Sequence, residues 1–333
     1  MTQVSVVVPL YNKASYLLRA LESIAEQTYR DFEVIVVNDG STDGGEQVAR
    51  SFPDRRFRVL SQQNRGPGAA RNRGITEAVG QVTAFLDADD EWLPHYLETA
   101  VRAFDQRPDL AACTQGYVEY PAAVSSEPMW RRFGLAEGIQ TINEKQSPRL
   151  LHYMLAYMSS WSTVVRSDTL RKWGGFYEHG CKFGEDSFLW LKILLNEPVQ
   201  FALQPGVRVH REAGALSQNL NRSRPLEPFL QHPEEISRVC PPRLLPLLHA
   251  FFTLRAFKTA CVWGYYGEWQ RAREIRQKFR TPGDSHIPYY LSSWVCSTPL
   301  GAGLGAIWRA THKAKAHGES PANAASASLS RSG

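Results

Sequence analysis

Long apolar runs are missing from the 333-residue sequence. A membrane-spanning helix needs roughly 18 or more consecutive apolar residues, and no stretch of the chain approaches that length. The N-terminus also lacks the positive charge of a secretory signal, because Thr2 and Gln3 stand where that charge would be. We therefore expect neither a membrane span nor export. The predicted location is the cytoplasm, with peripheral contact at the cytoplasmic face of a membrane left open.

Cysteine is also scarce. The five cysteines are odd in number and widely spaced, and no CxxC pair suggests a zinc or redox site. We expect reduced thiols that mostly pack in the core, since a disulfide framework would need a different pattern.

Most of the chain has little excess of one charge sign. Residues 241–333 hold 12 Lys and Arg against 4 Asp and Glu, whereas the first 240 residues hold 26 against 29. A slightly acidic body argues against nucleic acid as a partner. The basic tail is consistent with an anionic partner and equally with a solvated basic helix face.

Short β-branched runs alternate with segments that carry apolar residues at helical spacing. The predicted strands are 4–9, 32–38, 57–61 and 82–86, with helices at 44–52 and 69–79. This alternation predicts an α/β fold with a doubly wound, mostly parallel sheet. In such sheets ligands bind beyond the carboxyl ends of the strands.

The last third of the chain predicts a different organisation. Prolines cluster beyond Arg222, which predicts a linker, and helices are predicted near 244–263 and 269–279. From His317 the sequence is small and polar and is predicted to be disordered. The predicted division is an α/β domain at 1–222, a helical region at 223–316 and a tail at 317–333.

Polar residues gather where the predicted strands end. Strand one ends in Pro9-Leu10-Tyr11-Asn12, and strand four ends in Asp87-Ala88-Asp89-Asp90. The glycines that a dinucleotide-binding fold places after its first strand are absent, which argues against an NAD enzyme.

Asp87 and Asp89 are the candidates for a metal site. Residues two apart in an extended segment point to the same side, so these carboxylates lie within roughly 7 Å of each other. A divalent cation relieves their repulsion, and hard oxygen ligands suit Mg²⁺ or Mn²⁺, which commonly bridge to phosphate oxygens. Taken alone, such a pair is more typical of a solvated acidic turn.

Other polar residues suggest further roles. Asp39, at the end of strand two, can accept hydrogen bonds from the edge of a base. Arg71 and Arg73 lie in the first turn of a helix after a glycine-containing loop, an arrangement that binds anions. Glu185 and Asp186 open an apolar helix, where Asp186 can accept a proton from an attacking hydroxyl. Each group also has a structural interpretation. Asp39 can form an Asx turn or a helix cap, and the two arginines can be surface charges on their helix. Glu185 and Asp186 can be acids that suit the dipole at the start of their helix.

Together these segments resemble the family-2 inverting glycosyltransferases, whose catalytic domain has the GT-A fold, over about residues 3–215. The resemblance implies a Rossmann-like GT-A domain with a C-terminal helical extension. It also implies a metal-dependent transfer of a sugar, most often from a UDP-sugar, to a hydroxyl of a glycan or lipid-linked acceptor. The implied setting is surface polysaccharide or glycoconjugate synthesis.

The resemblance assigns roles residue by residue. The implied nucleotide-sugar site is Pro9, Tyr11, Asn12, Asp39, Arg71, Asp87, Ala88 and Asp89, the implied base is Asp186, and the implied acceptor side is Gly175, Phe176 and Glu185. Mn²⁺ or Mg²⁺ would be held by Asp89 and Asp87, with His210 as a further ligand. His210 ends a segment that resembles the family's YRxH motif, although Val207 replaces the usual aromatic residue.

Two other functions stay open at this level. A sugar-phosphate nucleotidyltransferase binds nucleotides at a similar sheet, but it usually carries a Gly-rich, basic loop after strand one. A non-catalytic nucleotide-sugar-binding protein would keep the fold without turnover, although this chain retains the acidic residues that the chemistry needs. The sequence does not indicate the donor sugar, the acceptor, the linkage or the oligomeric state.

The basic C-terminal region also contains large apolar residues among small ones. These are Tyr289, Tyr290, Trp294, Leu300, Leu304, Ile307 and Trp308, followed by Arg309, Lys313 and Lys315. The mixture suits a helix packed on the catalytic domain, and peripheral contact with an anionic membrane is the alternative.

Overall fold

The structure, a computed structural model, describes residues 3–181, 183–212, 225–281 and 283–316. The chain divides into two compact units. The first comprises Met1–Asn219 with Glu227–Leu245, and the second comprises Leu220–Leu226 with Pro246–Gly333. The division into domains at residue 222 stays a prediction, and it differs from these units in the placement of Glu227–Leu245.

The first half of unit one has the predicted alternation of strands and helices. Its elements are β1 (Val4–Leu10), α1 (Ala14–Ala25), β2 (Phe32–Asn38), α2 (Gly45–Arg50), β3 (Phe57–Ser61), α3 (Pro67–Glu77) and β4 (Val82–Phe85). The four strands pair in parallel in the order β3-β2-β1-β4. Most residues of β1 and β2 are fully buried, which explains why their sequences read as continuous apolar runs.

Antiparallel strands extend this sheet beyond β4. The elements are β5 (Glu91–Trp92), α4 (Tyr96–Gln106), β6 (Ala112–Tyr120), β7 (Val124–Ser125), α5 (Glu127–Arg132), β8 (Gly138–Gln140), α6 (Pro148–Tyr157), β9 (Thr163–Arg166), α7 (Ser167–Trp173), α8 (Glu185–Asn196) and β10 (Val199–His210). β9 is antiparallel to both β4 and β6, whereas β10 is parallel to β6. The predicted α/β fold with a doubly wound parallel core and a helical C-terminal region is confirmed.

The parallel core determines where the polar strand ends meet. Leu10 pairs with Asn38, and Val7 of β1 pairs with Phe85 of β4, so β1, β2 and β4 end at one edge of the sheet. The residues that follow these strands therefore lie along a common edge, as the strand order requires.

The predicted linker after Arg222 is wrong for residues 228–239. This segment forms two short helices, α9 (Pro228–Gln231) and α10 (Pro233–Val239), and both pack against α8. Pro228 and Pro233 each occupy the start of a helix, where the missing N–H costs nothing and the fixed φ angle favours helical geometry. The prolines that suggested a linker are therefore helix starts.

Unit two is helical. Its helices are α11 (Leu245–Tyr265), α12 (Trp269–Phe279), α13 (Tyr290–Cys296) and α14 (Pro299–Ala316). α11 and α12 share a small core that includes Ala260, Trp263 and Ile275. In the described part of the chain, no helix is both long and apolar enough to cross a membrane. The tail predicted to be disordered, 317–333, lies outside the described residues.

Candidate active site

Asn12 joins the loops that follow β1 and β2. It has a left-handed φ of 51°, a conformation that Asn tolerates better than most residues. Its side-chain oxygen accepts a hydrogen bond from the backbone N–H of Thr42 at 2.8 Å, and its own N–H donates to the Ser41 hydroxyl at 3.2 Å. The half-exposed Tyr11 and the partly buried Pro9 are carried by the same strand end.

Asp39 organises the loop that leads into α3. Its carboxylate is buried and accepts hydrogen bonds from the Gln62 amide at 2.9 Å and from the N–H groups of Arg65 and Gly66 at 2.9 and 2.8 Å. Both carboxylate oxygens therefore already accept hydrogen bonds from the protein's own loop. The role of Asp39 at a nucleotide base stays a prediction.

Arg71 is the centre of the candidate site. Its guanidinium is almost fully buried and donates to Asp87 at 2.7 Å and to Glu185 at 2.8 Å. The guanidinium also lies 5.3 Å from the centre of the Phe176 ring, within range of a cation–π contact. Burial alone would lower the pKa of Arg71, but the nearby carboxylates of Asp87 and Glu185 outweigh this effect. The net result is a pKa above the ordinary value of an arginine. The arginine therefore ties the end of β4 to the first turn of α8.

The acidic turn after β4 carries concentrated negative charge. Lys13 forms an ion pair with Asp89 at 2.6 Å, and the carboxylate of Asp90 accepts from the backbone N–H of His210 at 3.0 Å. Burial, followed by repulsion from Asp87, raises the pKa of Asp89, and the same two causes raise the pKa of Asp90 well above its usual range.

The donor set fits a hard divalent cation. The side chains of Asp87 and Asp89 keep 30% and 17% of their surface exposed, so both carboxylates are accessible. The raised pKa of Asp89 means that its negative charge is disfavoured even beside Lys13, and a divalent cation would relieve this cost. Ala88, between them, is buried.

His210 is held by carboxylates on both sides of its ring. Its Nε2 lies 2.8 Å from Glu91 and its Nδ1 lies 2.9 Å from Glu212. To bind a metal, the ring would have to release one of these partners. Its assignment as a ligand stays a prediction, whereas its N–H visibly holds Asp90 in place.

Asn72 fixes the segment that sequence resemblance places on the acceptor side. Its amide donates to the carbonyl of Phe176 at 2.8 Å and accepts from the N–H of Phe176 at 2.8 Å. Gly175 has a φ of +70°, and a Cβ there would lie 2.4 Å from the Asn72 oxygen. Sequence reasoning missed Asn72, although it stands between the candidate anion-binding residues Arg71 and Arg73.

Asp186 lies in the first turn of α8, two residues after Gly184, which has a left-handed conformation with φ of 76°. Its carboxylate accepts from the N–H of Ser187 at 2.7 Å. Desolvation of the half-buried carboxyl group, followed by the charge of Glu185, raises the pKa of Asp186 to about 7. A carboxylate with this pKa can take and release a proton near neutral pH.

The predicted residues thus fall into contact groups. Arg71, Asp87, Glu185 and Phe176 contact one another through the guanidinium, and Asn12 and Asp39 each support a neighbouring loop. An acidic strand edge, a buried arginine and a carboxylate with a raised pKa, carried by an α/β sheet, form a candidate site whose chemistry could hold a divalent cation and transfer a proton.

Comparison with known proteins assigns the chain to a family. The sequence pattern of glycosyl transferase family 2 matches residues 5–172, just over half of the chain, and the chain belongs to this family. An uncharacterized glycosyltransferase of Nostoc sp. is 43% identical over 106 residues, which is 31% of this chain and 33% of the relative. Glycosyltransferase GlyA of Streptococcus pneumoniae is 30% identical over 210 residues, which is 59% of this chain and 29% of the relative. These alignments span about a third or less of each relative's length.

Solved structures support the fold. Residues 1–349 of S. aureus TarS, in complex with UDP-GlcNAc, match with a TM-score of 0.63 and 18% identity over 95% of this chain and 92% of that one. The mannosyltransferase PcManGT of Pyrobaculum calidifontis, in complex with GDP-Man and Mn²⁺, matches with a TM-score of 0.54 and 18% identity over 92% and 88% of the two chains. At this identity the likeness concerns the fold alone.

Proposed function

We propose that the chain is a metal-dependent, inverting glycosyltransferase that moves a sugar from a nucleotide-sugar to an acceptor hydroxyl. The observation that carries the proposal is the buried guanidinium of Arg71, which bonds Asp87 at the metal side and Glu185 beside the candidate base. Membership of glycosyl transferase family 2 supports the reaction class. The ligands of the two proteins of similar fold, UDP-GlcNAc and GDP-Man, support a nucleotide-sugar as the donor.

The donor side is formed by residues at the ends of β1, β2 and β4 and by Arg71 of α3. We assign Pro9, Tyr11, Asn12, Asp39 and Arg71 to the nucleotide, and Asp87, Ala88 and Asp89 to the diphosphate and sugar. Asp87 and Asp89 would hold Mn²⁺ or Mg²⁺, with His210 as a further candidate ligand. When bound, the ion supplies positive charge that stabilises the departing diphosphate. PcManGT, of similar fold, is complexed with Mn²⁺, which supports a divalent ion.

The acceptor side is formed by α8 and the segment before it. In the proposed mechanism Asp186 takes the proton of the attacking hydroxyl, and the oxygen displaces the diphosphate in one in-line step that inverts the anomeric carbon. Its pKa of about 7 leaves a substantial fraction ionised at neutral pH. Gly175, Phe176 and Glu185 would shape the site that orients the acceptor.

The proposed acceptor is a glycan or a lipid-linked glycan in surface polysaccharide or glycoconjugate synthesis. An enzyme with a lipid-linked acceptor must reach it at a membrane surface, so a peripheral location at the membrane belongs to the proposal.

Calorimetric titration tests the donor site. UDP, GDP and dTDP are titrated into the protein with and without Mn²⁺, alongside Asp89→Ala. Metal-dependent binding of one nucleotide that is lost in the variant would support the proposal and name the donor class. If no nucleotide binds under any condition, the acidic turn is structural and the proposed function fails.

A further inference from the structure

The helices of unit two approach one another through glycines. A Cβ on Gly301 of α14 would lie 2.0 Å from the Val295 carbonyl oxygen, and a Cβ on Gly264 of α11 would lie 2.1 Å from the Cys296 carbonyl oxygen. Gly305, one turn after Gly301, also has no room for a side chain, since a Cβ there would lie 2.7 Å from the Tyr265 carbonyl oxygen. Small residues four apart that bring helix backbones together are typical of helices packed within lipid.

Large apolar side chains occupy exposed positions of α14 next to this glycine face. Leu300 is 82% exposed, and Leu304 and Trp308 follow at four-residue spacing with 62% and 52% exposure. Side chains four apart on a helix lie on the same face. α14 therefore has small residues inward and large apolar residues outward, the reverse of a helix that faces water.

α13 repeats this arrangement. Leu291, Trp294 and Val295 are 74%, 58% and 39% exposed and have the i, i+3, i+4 spacing of one helix face, and Ser293 on the opposite side is fully buried. α13 and α14 are consecutive and in contact. Single exposed apolar residues are normal on proteins, but two adjacent helices with apolar outward faces indicate a binding surface.

The charge of unit two indicates which partner this surface takes. Residues 246–316 hold ten Lys and Arg against three Asp and Glu. α12, which contacts both α13 and α14, carries exposed Arg271, Arg273 and Lys278. A second copy of the chain would bring a second basic unit against the first, whereas an anionic lipid surface complements it.

We propose that α13 and α14 bind the interfacial layer of an anionic membrane. In this proposal Leu291, Leu300 and Leu304 insert among the acyl chains, and Trp294 lies at the headgroup boundary, where tryptophan is enriched. The exposed basic residues of α12 face the lipid headgroups. The inference extends the peripheral location of the proposed function by assigning the surface and the lipid class, and it does not depend on the catalytic chemistry.

Vesicle flotation of the full chain tests this assignment. The wild type, Leu300→Asp/Leu304→Asp and Val79→Asp are mixed with phosphatidylcholine vesicles that contain either no anionic lipid or phosphatidylglycerol. Val79 is the matched control because it is 71% exposed but lies in unit one. The wild type and the control should float with the anionic vesicles, and the double variant should partition at least tenfold more weakly. All three should bind nucleotide and Mn²⁺ equally.

Each contrary result overturns the inference. The inference fails if the wild type does not float with anionic vesicles or if the double variant floats as the wild type does. It also fails if light scattering shows an oligomer for the wild type and a monomer for the double variant while both float equally. In that case a second copy of the chain covers the apolar face. Loss of nucleotide binding in the wild type with flotation intact would instead refute only the proposed function.

Discussion

At the scale of single residues, Arg71 is the side chain on which the candidate site depends most. Its removal leaves Asp87 and Glu185 without their buried cation. We expect Arg71→Met to lower the free energy of unfolding by about 3–5 kcal/mol, because an uncompensated buried charge is costly. Urea unfolding measures this change.

Arg73→Met is the matched control for Arg71→Met. Arg73 is half-exposed and pairs with Glu77 on the surface of the same helix. Its loss should cost less than about 1 kcal/mol. If the two variants lost the same free energy of unfolding, the buried ion pairs of Arg71 would contribute no more than a surface pair.

Lys13 is the second residue that pairs with the metal-side carboxylates. It lies 2.6 Å from Asp89 and is more exposed than Arg71, so a metal ion must compete with it. We expect Lys13→Met to bind Mn²⁺ about fivefold more tightly in the absence of nucleotide, the equivalent of about 1 kcal/mol. Titration of Mn²⁺ into the free protein measures the affinity.

Lys145→Met, at an exposed position before α6, is the control for Lys13→Met. If both variants bind Mn²⁺ like the wild type, Lys13 does not compete with a metal ion. Weaker Mn²⁺ binding by Lys13→Met alone would mean that the lysine supports the metal site.

Asp186 should give the enzyme a pH dependence. Because its pKa is raised to about 7, kcat/KM should rise with pH and level off above that value, and Asp186→Asn should remove most turnover. Turnover within about threefold of the wild type, a change of under roughly 1 kcal/mol in barrier, would exclude Asp186 as the base.

The same carboxyl group should affect stability with the opposite trend. The folded protein holds this proton more tightly than the unfolded chain, whose Asp has its ordinary pKa of 3.8. Its contribution to stability is therefore present at low pH and is lost as pH rises from about 4 to about 7. Relative to the wild type, Asp186→Asn should gain stability between pH 5 and pH 8 in metal-free urea unfolding. A constant difference would contradict the raised pKa.

At the scale of elements, the contact between α3 and the segment before α8 depends on a glycine. Gly175→Ala adds a Cβ that would lie 2.4 Å from the Asn72 oxygen, whereas Gly174→Ala meets nothing within 4 Å. Both positions have left-handed φ angles, which alanine disfavours, so both variants should lose about 1–2 kcal/mol in the free energy of unfolding. We expect Gly175→Ala to lose a further 1–3 kcal/mol or so in thermal or urea unfolding, because the packed contact cannot accept the added carbon.

The elements that sequence patterns predict well are those with local signals. β1 and β2 were predictable because β-branched runs encode buried parallel strands. Asp87 and Asp89 were predictable as site residues because a strand ends just before them. The bond between Asn72 and Phe176 spans 104 residues and the one between Lys13 and Asp89 spans 76, so no local pattern encodes either. Pro228 and Pro233 were misread as linker residues because proline signals a helix start and a loop equally well.

At the scale of the whole molecule, the end of the catalytic unit can be tested by shortening the chain. The predicted domain ends at 222, whereas the compact unit continues through Glu227–Leu245. α9 and α10 bury Phe229, Leu230 and Ile236 completely, and they pack against α8, which carries Asp186. Burial of each such side chain contributes about 1.5–3 kcal/mol.

A chain ending at residue 245 should therefore fold and bind nucleotide with Mn²⁺ within about threefold of the full chain, a difference of under roughly 1 kcal/mol. A chain ending at 222 should be strongly destabilised, because α8 loses its packing partners. Circular dichroism and the same nucleotide titration compare the two. If the shorter chain is as stable and binds as tightly, the boundary at 222 is correct and α9 and α10 do not support the site. If the longer chain also fails to fold, the helices of unit two are needed for the fold, because both chains lack them.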